Sequence, residues 1–585
     1  MKQIISTLLL AVAFVIPASS LDRQAFTVTS YQLDVQIDRP SHVMAVTGRL
    51  TLRNDSKLPQ KNTALQISSA LSWNGIAINN APAEWIGNDY TSDIDHTGKL
   101  SEAIVNLPAT VLPGGTISLD VQFGGKVTPD STRLTRIGAP SELALRNDWD
   151  QVSTNFTAIR GLGYVVWYPV SIPAVSMSDG NAVTDAIDSW KARHLQSAFE
   201  AHISVVDEDA HLCIVGNATA SNCGSLSKTD DPRTGDTTNQ VSNDVRLSSL
   251  GQTVPAFAVA DYIPLERPAL LLFHVRTREA LAQDYASAAE ANDTVLTEWL
   301  GPSTGRARVI ELTDPNANPC QIGPVLFTPL RASQPATLQQ LLIPVEVAAR
   351  FTSPRPWIEN GLQRFMQAVN IDRSNGRKSA LQFLDEYRAP LLQASEPVQA
   401  GADSSSTSPG GEALLTTSDE IILRGKGSYL FWMLRDMLGD SALQKSLTSY
   451  HAVEDNEPAY FQKLIEQNGK RDLGWFFTDW VYQNRGLPDL RIDNVYARPQ
   501  TDDPNRLYLV TVTVENLGGA GAEVPVSIQT PSGEKSIRLL VLAHQKASER
   551  TQLPAAPTRA IVNDGSVPEI NTGNNTFDVP AVQRP

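Results

Sequence analysis

The sequence predicts a multidomain β + α protein: an N-terminal antiparallel β domain, a mainly helical domain and a C-terminal β-sandwich. Three observations predict it. From about residue 26 to 265, apolar and polar residues alternate with the period of a half-buried strand. From about 276 to 485 the apolar residues recur at helical spacing, and beyond Pro488 the alternation returns. At 585 residues the chain is too long for one core and fits roughly three or four domains.

Residues 1–20, "MKQIISTLLLAVAFVIPASS", read as a signal peptide. Lys2 gives a positive start, Ile4 to Pro17 an apolar run, and Ala18-Ser19-Ser20 a small-residue cleavage site. The run is short for a membrane span, so the reading is an exported protein, periplasmic or extracellular, with no span after signal removal. Residues 21–265 form the N-terminal β domain. "YQLDVQID", "VTGRLTLRN" and "LPGGTISLDVQFGG" alternate cleanly, the last after a Pro-Gly-Gly turn. Within this domain, 216–240 is polar and reads as a flexible loop inserted between strands.

Residues 266–489 form the helical domain. "TREALAQDYASAAEANDTVLTEWLG" ends in Gly301 as a C-cap signal, and Gly439-Asp440 separates two further helices. Residues 490–585 alternate around a Pro-Ser-Gly turn, as a small immunoglobulin-like sandwich does.

Composition narrows the function. With 41% hydrophobic and 19% charged residues the chain can build cores. A formal net charge of −15, with no basic run longer than Asn375-Gly-Arg-Lys378, excludes nucleic acid as a partner. Of the three cysteines, Cys213 and Cys223 are placed to bridge a hairpin, with free thiols as the open alternative. His211, Cys213 and Cys223 have zinc-ligand types but lack a fourth partner and the usual spacing. Neither a Gly-x-Ser-x-Gly elbow, a phosphate loop nor a Cys-x-x-Cys pair occurs.

Four segments carry a resemblance. "YQLDVQID…VTGRLTLRN", "WIENGLQRFMQ", "GKGSYLFWMLRDMLGD" and "DLGWFFTDWVYQNRGLPDLRI" are similar, in order and approximate spacing, to segments of the aminopeptidase N family of gluzincin zinc metallopeptidases. The resemblance spans most of the mature chain and implies a gluzincin-like helical domain. It also implies a site: two histidines at i and i+4 on one helix, a Glu beside the first as general base, and a second Glu on a neighbouring helix as third ligand.

This chain departs from that pattern at every position. "VEVAARF" places the histidine positions on Val345 and Ala349, and the general-base position on Glu346. The third-ligand position falls on Asn360, because the chain reads Glu359-Asn360-Gly361, and Glu359 is turned away by about 100°. The oxyanion tyrosine position holds Arg424, and Gln321 in "PCQIGPV" is nearest to the glutamate that captures an amino terminus. The eight histidines form no His-x-x-x-His pair, so no shift of register restores the motif.

Each surviving residue has a plainer reading. Glu346 precedes Arg350 by four residues, the favourable order for a helix-surface ion pair of about 0.2–0.5 kcal/mol, and is a vestigial base only as a second reading. Val345 and Ala349 extend an apolar stripe with Leu338, Leu341 and Leu342, and Pro344 is expected to start or kink the helix. Arg424 and Lys426 read as a solvated helix start or a carboxylate-binding pair. The expectation is an exported, non-catalytic peptide- or protein-binding or scaffold protein with no metal. The alternative is a zinc aminopeptidase with an atypical site drawing on His274 or His451, with Glu346 and Glu359.

Overall fold

The computed structural model describes residues 21–580 except 207–210, 218–221, 226, 231–236, 252, 304, 396–411 and 501–506. The signal-peptide reading of residues 1–20 lies outside the described residues.

The N-terminal region is built on an eight-stranded sheet. Strands Phe26–Asp38 and Val43–Asn54 pair antiparallel, and the first also pairs in parallel with Ala198–Val206. Its alternation is literal: Tyr31, Leu33, Val35 and Ile37 are buried, whereas Gln32, Asp34 and Gln36 face solvent. A four-stranded sheet includes His211–Gly216, Asn222–Ser225 and Phe257–Ala260.

The loop expected over 216–240 is corrected here. Asn222–Ser225, Ser227–Asp230 and the start of Thr237–Leu247 are strands, and the rest lies largely outside the described residues. These strands are defined by backbone pairing that polar sequences also make, so alternation gave no signal. Cys213 and Cys223 sit opposite each other in this hairpin and form a disulfide.

The middle region is not helical from its start. The boundary expected at 265/266 falls inside the hairpin Tyr262–Glu266/Leu270–Val275, the opening of a five-stranded sheet with Ala307–Glu311, Val325–Thr328 and the edge strand Cys320–Ile322. Four- and five-residue buried strands are too short to show a period.

Four helices then frame the region of interest: α1 (Glu279–Leu300), α2 (Pro335–Arg350), α3 (Pro356–Asn375) and α4 (Gly427–Leu438). α1 ends where Gly301 adopts φ +82°, the conformation its C-cap role requires. α2 begins at Pro335 and runs through Pro344, so Pro344 does not start it.

α3 and α4 touch backbone to backbone. A Cβ on Gly361 would lie 2.7 Å from the carbonyl carbon of Gly427, and one on Gly427 would lie 3.0 Å from the Gly361 Cα. Around this crossing Trp357, Phe365, Phe431 and Trp432 form an apolar cluster continuous with Trp480 and the strands beyond residue 490. Those strands make two sheets, of three and four strands, with Val510, Val512 and Val514 facing the same core as Val524, Val526 and Ile528. Trp480 ties the layers together by donating Nε1–H to the Gly521 carbonyl at 2.9 Å.

Alanine ordinarily stabilises a helix interior relative to glycine. Gly361→Ala is expected to do the reverse here and cost about 1–3 kcal/mol by overpacking, read from urea unfolding. An unchanged or raised midpoint would show that the crossing is not close.

Candidate functional site

The frame lies where α2, α3 and the edge strand Cys320–Ile322 meet. α2 presents three faces. Leu338, Leu342 and Val345 are buried against the sheet and α1, with Leu341 and Ala349 half-buried beside them. Ile343 and Val347 enter the helical core. Gln340, Pro344 and Ala348, at i, i+4 and i+8, are half-buried. This third stripe meets α3 at Gln340, whose carbonyl accepts a hydrogen bond from Gln367 Nε2 at 2.7 Å.

Val345 and Ala349 face the sheet-side core, and Pro344 and Ala348 stand on the neighbouring stripe, about 100° round the helix. That stripe holds an amide, a proline and a methyl group, so neither register supplies a metal ligand of the required kind.

Glu346 is fully buried, and the surface-pair reading fails with it. Its Oε2 accepts Nδ2–H of Asn292 on α1 at 2.6 Å. The Arg350 guanidinium turns instead to Asp293 at 2.5 Å and meets Glu346 only through its backbone carbonyl, at 3.4 Å. Glu346 Oε1 and Asn292 Oδ1 are both buried without a hydrogen-bond partner among the described residues. Two unpaired acceptors side by side favour a protonated carboxyl. Burial accordingly pushes the Glu346 carboxyl up to about 8, against the opposing pull of Asn292 and of Arg350. Sequence reasoning missed Asn292, although it is the polar member of the buried stripe Tyr285, Ala289, Asn292, Leu296 and Trp299.

On α3, Glu359 accepts the backbone N–H of Ser353 at 2.8 Å, and burial raises its pKa. Asn360 turns back on its own helix, donating to the Pro356 carbonyl at 2.9 Å. Gln321 on the edge strand donates to the Gly323 carbonyl at 3.0 Å and reaches Gln363 of α3 at 3.5 Å. The strand edge and α3 thus meet through uncharged amides.

Arg424 and Lys426 part company. Arg424 is exposed, with Glu420 one turn back at 3.5 Å, and among the described residues it makes no hydrogen bond with Gln321 or Asn360. Lys426 closes the π-helical turn Ile422–Lys426 and is buried, its ammonium 5.7 Å from the centre of the Trp480 ring. Burial lowers it to about 8, with Asp479 acting in the other direction. Packing separates the two residues, burying Lys426 and leaving Arg424 in solvent. Tyr429 is buried in the helical core.

The histidines of the alternative reading go elsewhere. His274 is buried with Nδ1 2.9 Å from the Val275 carbonyl, and His451 is exposed beyond the helix Asp440–Thr448. Among the described residues no group of three or more His, Cys, Asp or Glu is arranged to hold a metal ion. Val345, Ala349 and Asn360 offer two hydrocarbon side chains and a neutral amide, a set that does not fit zinc.

No protein-family profile matches the chain, and no curated protein sequence does. Solved structures do. Aminopeptidase A of Legionella pneumophila, in complex with aspartic acid, aligns at TM-score 0.56 and 10% identity, over 93% of this chain and 59% of that one. An M1 zinc metallopeptidase of Deinococcus radiodurans aligns at TM-score 0.45 and 13% identity, over 77% of this chain and 92% of that one. A mutant of that enzyme bound to a Tyr-Ser-Ala substrate aligns at 0.47 and 14%, over 80% and 97%. The chain shares the fold of that aminopeptidase A, with a β-sheet N-terminal region and a helical middle region.

Because the Glu346 carboxyl is held near 8 rather than at its ordinary 4.5, folding disfavours its ionisation. The penalty is absent below the lower value, grows as pH rises between the two, and is complete above about 8. Glu346→Gln should therefore gain stability over the parent by about 1.4 kcal/mol per pH unit between pH 5 and 7, measured by urea unfolding. A pH-independent difference between the two proteins would place Glu346 in a wetter site than the one described.

Proposed function

We propose that this chain is an exported M1-fold protein that binds a peptide or protein ligand, or scaffolds one, without zinc-dependent hydrolysis. The observation that carries the reading is the composition of the frame: neither Val345 and Ala349, nor Pro344 and Ala348, nor Asn360 provides an acceptable zinc ligand. In such a site the metal would polarise the scissile carbonyl and activate the water, and a lone carboxyl does neither. Glu346, sealed between α1 and α2, is also remote in character from a solvent-facing base.

Two features support ligand binding. Arg424 is exposed and, among the described residues, held only by Glu420 at 3.5 Å, so its planar guanidinium can turn to a carboxylate. The amides of Gln321 and Gln363 both donate and accept, as a peptide backbone does. The leader-like residues 1–20 and the Cys213–Cys223 disulfide support export to an oxidising compartment. The two C-terminal sheets fit an immunoglobulin-like sandwich that serves as a second contact surface.

Metal analysis of the purified protein, beside an aminopeptidase assay with and without chelator, is expected to find neither stoichiometric zinc nor chelator-sensitive turnover. Finding both would overturn the proposal in favour of an atypical zinc peptidase. For ligand binding, Arg424→Ala should weaken capture of peptides with a free C-terminal carboxylate by about fivefold, an exposed ion pair of roughly 1 kcal/mol, and leave amidated peptides unaffected. Equal loss for both, or loss for neither, would remove Arg424 from the recognition surface.

A further inference from the structure

A cavity lies beside the apolar cluster that also packs the edge strand Cys320–Ile322. It has a volume of about 210 Å³ and opens where the short helix Ser141–Asn147, the segment from Trp149 to Phe156 and the turn after strand Ala307–Glu311 converge. Leu145, Trp149, Phe156 and Leu312 wall it, and Gln151 and Asp314 line it as polar groups. An apolar cavity of about 150 Å³ already accepts benzene, so this one has room for a single ring with a short tail.

The walls are preformed. Trp149, Phe156 and Leu312 are buried members of one apolar cluster. Trp149 is fixed by its Nε1–H, donated to the Asn318 carbonyl at 3.1 Å, and by the Arg160 guanidinium 3.8 Å from its ring centre. Arg160 is in turn held by Asp150 at 2.6 Å. Binding against such walls orders little that is not already ordered. Leu145, at 44% exposure, stands at the mouth.

The polar groups are free to engage a ligand. Among the described residues the Gln151 side chain makes no hydrogen bond, and Asp314 has no ion pair. One Asp314 oxygen accepts only the N–H of Asn316 in its own turn, at 2.8 Å. Neither nearby guanidinium forms an ion pair with Asp314 among the described residues. Arg146 is paired with Glu142 at 2.6 Å, and Arg331 donates to the Pro315 and Ala317 carbonyls, each at 2.9 Å. A carboxylate with no ion-pair partner among the described residues, beside an apolar, aromatic-walled cavity, favours a cation on an apolar body over an anion of the same shape.

We propose that this cavity binds a small organic ammonium, with one aromatic or branched aliphatic group seated between Trp149 and Phe156 and its charged nitrogen at Asp314. The proposal does not rest on the function proposed for the α2–α3 frame.

The test uses phenethylamine as probe on the full chain, with phenethyl alcohol and phenylacetate as neutral and anionic counterparts, measured by calorimetric titration. The amine should bind about fivefold more tightly than the alcohol, the ratio an exposed ion pair of roughly 1 kcal/mol gives, and phenylacetate should bind weakest. Asp314→Asn should bring the amine down to the level of the alcohol. Leu145→Trp, which fills the mouth from an exposed position, should abolish binding of both. Both substitutions fall on exposed side chains, and an unchanged melting curve verifies their fold. The proposal is overturned if phenethylamine shows no binding at about 10 mM, where a fragment this small is still detectable. It is equally overturned if phenylacetate binds as well as the amine, or if both variants bind as the parent does.

Discussion

The close crossing of α3 and α4 is the contact on which the middle of this molecule depends. Gly361 and Gly427 let two helix backbones approach without intervening side chains, which no other residue pair would allow at 2.7–3.0 Å. That approach fixes the tilt of α3, and α3 in turn fixes where Asn360, Gln363 and Gln367 stand against the strand edge and α2. It also aligns the aromatic cluster that continues through Trp480 into the C-terminal strands. The glycines and large aromatics that set the geometry are buried, whereas Asn360 is half-buried and Arg424 exposed.

That separation explains what the resembling motifs retained. Trp357, Gly361 and Gly427 are packing residues, and all are present and buried. Asn360 and Arg424, in or beside the same segments, make polar contacts at half-buried and exposed positions. Substitution at such positions leaves the core intact, since it changes exposed or half-exposed polar side chains rather than filled volume.

Buried polar groups tell a related story. Glu346 and Asn292 face each other across α1 and α2 with two acceptor atoms unpaired. A neutral acid there needs no counter-ion, whereas an ionised one would have to be desolvated without a full partner. Lys426 is a similar case in positive charge: it is buried near Asp479 and the face of Trp480, and its depressed pKa follows from burial. Ionisable side chains that the sequence offered as surface or ligand groups became, through packing, members of the interior.

The sequence by itself determined the order of regions, the alternating strands of the first sheet, the capped end of α1 at Gly301 and the lack of histidine pairs at the expected positions. Each is a local property, set by a period of two or 3.6, by a glycine at positive φ, or by residue type alone. Only the tertiary structure decided which face of α2 meets α3, and a shift of one residue there turns every side chain by about 100°. It alone decided that Glu346 is sealed against Asn292 rather than paired with Arg350, and that Arg424 faces solvent while Lys426 does not. It alone brought the paired strands out of the polar stretch 216–240, and the walls of the Trp149 cavity out of segments more than 150 residues apart. These outcomes depend on which surface lies opposite a residue, and a one-dimensional pattern does not contain its partner.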